Sequence, residues 1–390
     1  MPSSNLPSRR SFLQLTAAAA ACRLMTEPML AAAAARKPAP SGAVVIDANE
    51  NPLGPSQPAR EAISVIIPQG GRYLDSLTDE LIQTFAQQEG LNPDHVHVFP
   101  GSTPALHFGV VAFTSPQRSY VTADPGYEAG MHAAAATGAR VVKVPLTKTY
   151  AHDVKAMLAA APDAGLFYVC SPNNPTGTLT PHSDLEYLVE NKPKDSVVMI
   201  DEAYIHFCDA PSTLDLVRAG KDVIVLRTFS KTYGMAGLRC GFAVARPGLL
   251  EKIVDRSGWN FMPVTALVAA SASLKDSNLV PERKRINAAV RQETFEWLDR
   301  NNYSYIPSVS NCFLLDTKRP AKQVIDAMAQ QNVFIGRIWP VMPTCTRITV
   351  GTHEEMQEFQ MAFQKVMQGK TAFSLEPRRP ARNPRRPQFV

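Results

Sequence analysis

The sequence predicts an α/β fold, a large domain built on a mostly parallel sheet flanked by helices, followed by a smaller α+β domain. Three observations carry this. Short runs rich in β-branched residues alternate with helical stretches from residue 96 onward. Those runs are apolar throughout, as strands covered on both faces require. After residue 263 the alternation gives way to a long amphipathic helix, a few short strands and a last helix.

Strands are expected at 96–99, 119–122, 141–144, 166–170, 197–200, 223–226 and 241–245. Helical patterns lie between them; over 183–190, Leu185, Leu188 and Val189 share one face. Beyond 263 the reading gives a helix over 282–300, strands near 312–315, 333–335 and 347–350, and a helix from Glu354. No internal repeat is present. The division that follows is a leader over 1–36, an N-terminal part of the small domain over 37–70, a large domain over 71–263, a small domain over 264–373 and a basic tail over 374–390.

The chain has 390 residues, 45% hydrophobic and 19% charged, which supports a buried core and excludes a disordered protein. Its net charge of +5 sits at the ends. Residues 1–37 hold Arg9, Arg10, Arg23, Arg36 and Lys37 against Glu27, and the tail holds Arg378, Arg379, Arg382, Arg385 and Arg386 against Glu376. The part between is slightly acidic, so a nucleic-acid-binding face is not expected.

Arg9-Arg10 precede the apolar stretch 12–21, in the manner of a twin-arginine export signal. That stretch is short of the roughly 20 apolar residues a membrane span needs, so no stable insertion is expected. Small residues at 31–35 offer cleavage sites before Arg36. The expected location is periplasmic or exported. A start-site artefact or a mitochondrial-type presequence is the bland alternative, and cytoplasmic residence the rival location. The Pro- and Arg-rich tail reads as a solvated, aperiodic segment.

The six cysteines form no C-x-x-C pair, and no metal-ligand spacing such as H-E-x-x-H occurs, so no metal site is expected. Most lie in apolar runs and read as buried thiols.

In open α/β sheets ligands bind beyond the carboxyl ends of the strands. Tyr127, Asn174, Asp201 and Lys231 each follow a predicted strand and together define a candidate pocket. Asp201 could instead be a magnesium-binding carboxylate of a nucleotide hydrolase. That reading needs a phosphate-binding G-x-x-x-x-G-K-[ST] loop, and before Gly369-Lys370-Thr371 the first glycine is replaced by Gln364.

In the stretch Thr228-Phe229-Ser230-Lys231-Thr232-Tyr233-Gly234, a lysine flanked by hydroxyls sits just beyond a strand, and Arg239 follows in a glycine-rich turn. With the segments beginning Asp47-Ala48-Asn49-Glu50-Asn51-Pro52 and Arg347-Ile348-Thr349-Val350-Gly351, the pattern resembles the fold-type I pyridoxal-phosphate enzymes, class I/II aminotransferases. It is most similar to the histidinol-phosphate aminotransferase family, over nearly all of the globular part.

The resemblance implies pyridoxal 5′-phosphate as cofactor, held covalently by Lys231, with Asp201 on the pyridine nitrogen and Tyr204 and Asn174 on the phenolic oxygen. It implies Tyr127 stacked on the ring. It gives the phosphate to Ser102 and Thr103, at a helix N-terminus, and to Thr228, Ser230 and Arg239. Tyr73 is implied to reach the cofactor of a second copy, which makes a homodimer the expected partner state; Leu74 stands where the family usually has proline. Arg347 is implied as the substrate-anion clamp, with Arg337 as its neighbour. The expected substrates are small: an amino donor (histidinol phosphate, or an aromatic or basic amino acid) and a 2-oxo acid. A decarboxylase or amino-acid oxidase on the same fold, and a non-catalytic binding protein, are the rival readings.

Overall fold

A computed structural model describes residues 39–258 and 261–369; the leader 1–36 and the tail 374–390 lie outside the described residues. Residues up to Ala43 form a unit by themselves, whose described part is a turn closed by Ala43 N–H donating to the Pro40 carbonyl. All that follows concerns the second unit, from Val44 on.

Seven strands form the main sheet: β2 (Val96–Phe99), β3 (Ser119–Asp124), β4 (Val141–Pro145), β5 (Ala164–Cys170), β6 (Val197–Asp201), β7 (Val223–Thr228) and β8 (Gly241–Val244). Their order across the sheet is β2-β8-β7-β6-β5-β3-β4. Neighbours from β7 to β4 are parallel, and β8 runs antiparallel to both β7 and β2. Every predicted strand of the large domain is present; five are longer by one or two residues, and the last ends one residue earlier.

Alternation along the strands divides their side chains between two cores. Phe167, Val169, Val198, Ile200, Val223 and Val225 face one, with Leu185 and Leu188 of the helix His182–Asn191 against them. Leu166, Tyr168, Val197, Met199, Ile224 and Leu226 face the other, under the helices Ser102–Phe113 and Pro247–Ser257. The helix Val264–Lys275, which a division at 263 would give to the second domain, buries Ala266, Leu267, Ala269 and Ala270 in the first of these cores.

The smaller part combines β9 (Ser304–Tyr305), β10 (Cys312–Asp316) and β12 (Cys345–Thr349), paired antiparallel, with a two-stranded parallel piece. That piece joins β11 (Val333–Ile335) to β1 (Val44–Ile46), a three-residue strand too short to read from the sequence. A third core forms around Phe313, Ile348, Phe359 and Phe363, and Val44 and Ile46 contribute to it. The last helix, His353–Gln368, opens with a capping box between Thr352 and Glu355.

Among the described residues no helix is long and apolar enough to cross a membrane, and no cluster of His, Cys, Asp or Glu could hold a metal ion. Asp201, Asn174, Tyr127 and Lys231 lie at or just beyond the carboxyl ends of β6, β5, β3 and β7, which are contiguous in the sheet.

Candidate active site

Asp201 ends β6 and is buried. Its Oδ2 accepts from the Tyr168 hydroxyl at 2.8 Å, and its Oδ1 accepts from Ala203 N–H at 3.0 Å. Burial pushes the carboxyl up to about 6, against the pull of those two hydrogen bonds and of Lys231. The loop after Asp201 is pinned by a buried pair. Glu202 Oε2 accepts from Arg227 Nε at 2.7 Å, and Oε1 accepts from the backbone and hydroxyl of Thr213 at 2.6 and 2.8 Å. The pair is fully hydrogen-bonded, as buried ions require.

Lys231 lies three residues past β7, on a turn in which Ser230 N–H donates to Thr228 Oγ1 at 3.1 Å. Its Nζ donates to the Asn49 carbonyl at 3.0 Å and lies 5.7 Å from the centre of the Tyr204 ring. Burial, and next the Arg347 guanidinium, lower its amine to about 8.

Asn49 joins both parts of the molecule here. Its backbone is left-handed, with φ +54°, which Asn tolerates better than most residues. Its Nδ2 donates to the Tyr204 hydroxyl at 3.0 Å and to Cys312 Sγ at 3.1 Å; its Oδ1 accepts from the Thr349 hydroxyl at 3.2 Å. Its carbonyl also accepts from Asn311 Nδ2 at 3.1 Å. Tyr204 is thereby fixed beside Lys231. Arg347 on β12 donates from Nη1 to Asn174 Oδ1 at 2.8 Å and from Nη2 to the Asp47 carbonyl at 2.7 Å. That leaves the Asn174 amide as its donor toward the pocket.

An anion cradle forms between β2 and the loop before β8. Ser102 begins a helix whose first backbone N–H groups have no intrahelical acceptor, and Gly101 caps it at φ +93°. At φ +93° Gly101 has a backbone that side chains rarely adopt, and a Cβ there would lie 2.3 Å from Arg239 Nη2 and push the guanidinium aside. Arg239, itself left-handed at φ +62°, donates from Nη1 to the Ala236 carbonyl at 2.8 Å and from Nη2 to the Pro100 carbonyl at 3.1 Å. Its Nη1 also lies 3.4 Å from Ser230 Oγ, which accepts from the Thr228 hydroxyl at 2.9 Å. Arg239 thus lies against Gly101, the residue before Ser102 and Thr103, and against Ser230 with Thr228 behind it; these are the residues that the resemblance gives to a phosphate.

Tyr127 follows β3, with its hydroxyl 3.3 Å from Thr103 Oγ1. Arg337 reaches the same segment, donating from Nη2 to Glu128 Oε2 at 2.6 Å. Trp339 is buried, donates from Nε1 to the Gly126 carbonyl at 2.9 Å, and has Arg337 and Arg347 over its ring at 5.1 and 5.7 Å. Tyr73 is not gathered with the others: it is 72% exposed and stacks on Phe261 at 4.7 Å.

Sequence reasoning missed Asn49, Tyr168, Glu128 and Trp339 as parts of the site. Asn49 carried a signal, a small polar residue before the turn Glu50-Asn51-Pro52. Tyr168 carried none, because it sits inside an apolar strand.

The donor set suits pyridoxal phosphate. A buried carboxylate matches a pyridinium, a buried amine of lowered basicity matches an aldehyde, and a helix N-terminus with an arginine matches a phosphate dianion. The Arg239 guanidinium packs into the space that glycine leaves at 101, which brings it up to the start of the helix.

A family model described as aminotransferase class I and II matches residues 43–363. The histidinol-phosphate aminotransferase of Moorella thermoacetica is 32% identical over 332 residues, 83% of this chain and 85% of that one. That of Symbiobacterium thermophilum is 33% identical over 327 residues, 83% and 90% of the two chains. The crystal structure of histidinol-phosphate aminotransferase from Sinorhizobium meliloti in complex with pyridoxal-5′-phosphate is similar with a TM-score of 0.76 at 27% identity. It covers 83% of this chain and 90% of that chain.

In the cofactor-free protein the Lys231 amine should half-titrate near pH 8 rather than at the ordinary 10.5. Below that pH it is protonated and cannot attack a carbonyl, so cofactor capture should slow as pH falls through about 8. Arg347→Ala removes a neighbouring positive charge and should move the midpoint upward. Stopped-flow absorbance at a series of pH values measures both, and a midpoint near 10.5 in the parent would refute the assignment.

Proposed function

The chain belongs to the class I and II aminotransferase family, and on that premise we propose how its residues transfer an amino group from a small amino donor to a 2-oxo acid. The chemistry is that of a pyridoxal 5′-phosphate-dependent transaminase of the histidinol-phosphate aminotransferase type. The observation that carries the assignment of roles is the pair of buried, oppositely charged groups on adjacent strand ends: Asp201 on β6 and Lys231 just past β7.

Pyridoxal phosphate, when bound, supplies an electron sink for the charge left as a proton leaves the donor's α-carbon. The residues do the rest. Asp201 holds a proton on the pyridine nitrogen, and the Tyr168 hydroxyl orients that carboxylate. Lys231 would hold the cofactor covalently, and its free amine would be placed to move the donor's α-proton; its lowered basicity suits both tasks. Tyr204 and the Asn174 amide donate to the phenolic oxygen. Ser102, Thr103, Thr228, Ser230 and Arg239 hold the phosphate, Tyr127 covers the ring, and Arg347 clamps the donor's anionic group.

A homodimer completes this reading. Tyr73 is exposed, and Val65 (73%), Ile67 (61%) and Phe261 (51%) expose apolar surface with it, which a second copy would cover. Export through Arg9-Arg10 is proposed on the sequence alone.

Four tests bear on these assignments. Donors including histidinol phosphate and aromatic and basic amino acids, each with a 2-oxo acid, should convert the cofactor and yield keto product; carbon dioxide release or oxygen uptake in its place would favour a decarboxylase or an oxidase. In that assay Asp201→Asn should lower turnover by about 10³-fold, roughly 4 kcal/mol, and near-normal turnover would remove Asp201 from its role. Mixing inactive Lys231→Ala chains with impaired Tyr73→Ala chains should restore activity, because a mixed dimer holds one site with both residues intact; no rescue means Tyr73 does not act across the interface. Replacing Arg9 and Arg10 with lysine should retain the protein in the cytoplasm with activity unchanged, whereas unaltered fractionation refutes the export signal.

A further inference from the structure

One buried imidazole has no part in the roles given above. His152 lies between β4 and the helix Val154–Ala160 and is 1% exposed. Burial lowers its ring to about 4, so it is neutral near pH 7. Its backbone N–H donates to Thr180 Oγ1 at 3.1 Å, and Thr180 N–H donates in turn to Ser171 Oγ at 3.1 Å. Its Nε2 lies 3.3 Å from Asn173 Oδ1. The Asn173 Nδ2 donates to the Pro125 carbonyl at 3.4 Å and to Thr176 Oγ1 at 3.0 Å. Those acceptors fix the amide's orientation and leave its oxygen toward the imidazole, which assigns the ring proton to Nε2.

Asn173 closes the turn with its backbone as well: its N–H donates to the Thr178 carbonyl at 2.8 Å, and its carbonyl accepts from Gly177 N–H at 2.7 Å. Two residues of the site depend on it. Asn174 is the next residue in the chain, and Pro125 stands two before Tyr127. Arg347 fixes the oxygen of the Asn174 side chain, but the backbone that carries Asn174 is set by this turn. Stability alone does not account for an imidazole at 152. A polar ring buried here costs free energy that one long hydrogen bond offsets only in part, and an apolar side chain would fill the space without that cost.

We propose that His152 is a positioning residue: its Nε2–H orients the Asn173 amide, which holds the Asn174 turn and the Tyr127 segment in register and so sets how well the Asn174 amide donates to the phenolic oxygen of the cofactor. This rests on the aminotransferase reading above. A donor at that oxygen stabilises its anionic form and lowers the pH at which the lysine-linked cofactor gives up its proton. An Asn174 amide out of register donates poorly, and that pH rises. His152 touches neither cofactor nor amino donor; it acts through Asn173.

The test titrates the absorbance of the bound cofactor in the holoenzyme. His152→Leu keeps the bulk and removes the N–H, and it should raise the pH midpoint by about one unit. His152→Gln, whose amide N–H can take the place of Nε2–H, should restore the parent midpoint. Asn173→Ala should shift the midpoint as His152→Leu does, and the double variant should shift it no further, because both changes remove one contact. An unchanged midpoint in His152→Leu with only a lower Tm shows a structural ring and overturns the proposal, as does a further shift in the double variant. If His152→Leu does not fold, Asn173→Ala decides: a raised midpoint supports the proposal and the parent's midpoint overturns it. A parent without any lysine-linked absorbance fails the aminotransferase reading itself, a result distinct from a normal parent with an unshifted variant.

Discussion

The site depends on the hydrogen bonding of one buried asparagine. Asn49 uses its backbone N–H, its carbonyl and both ends of its amide on partners that come from different parts of the chain: Lys231, Tyr204, Asn311, Cys312 and Thr349. Several of those partners are more than 150 residues away in sequence. A left-handed backbone at this position lets the carbonyl and the side chain be used together. Without it, the lysine amine, the tyrosine hydroxyl and strand β12 with its arginine would not be registered to one another. The segment before the first helix is thus the tie between the main sheet and the smaller part.

Around that tie the buried charges are managed in two ways. Glu202 and Arg227 form a closed pair whose donors and acceptors are matched, and its role is to fix the loop that follows Asp201. Asp201, Lys231 and Arg347 make no ion pair with one another. Their charges are only partly compensated, and the shifts of Asp201 and Lys231 follow from burial first. Groups left in this state favour reaction partners that bring the missing charge. Stability and reactivity are therefore assigned to neighbouring residues: 201 and 202 differ by one position and face opposite tasks.

Much of this was legible in the sequence because the main sheet is buried on both faces, so its strands appear as uninterrupted apolar runs. Lys231 after such a run, with Arg239 in a glycine-rich turn, carried the family resemblance, and the resemblance named the residues that gather around Arg239. What was not legible depends on distant contacts. Strand β1 is three residues long and exists through its pairing with β11. The helix 264–275 reads as a generic apolar segment, and only packing shows which core receives it. Tyr168 is hidden in β5 because its hydroxyl, not its ring, is what matters. Glu128 looks like any surface acid until Arg337 arrives from more than 200 residues away.

Trp339 has a further consequence, for spectroscopy. The sequence holds three tryptophans. Trp339 is buried, hydrogen-bonded through its indole nitrogen and bracketed by two guanidiniums at the edge of the site. Indole emission overlaps the absorbance of a bound pyridoxal chromophore and responds to nearby charge. Trp339 is thus placed to act as a fluorescent reporter, its share of the emission expected to fall when a cofactor binds and to respond to the two arginines beside it.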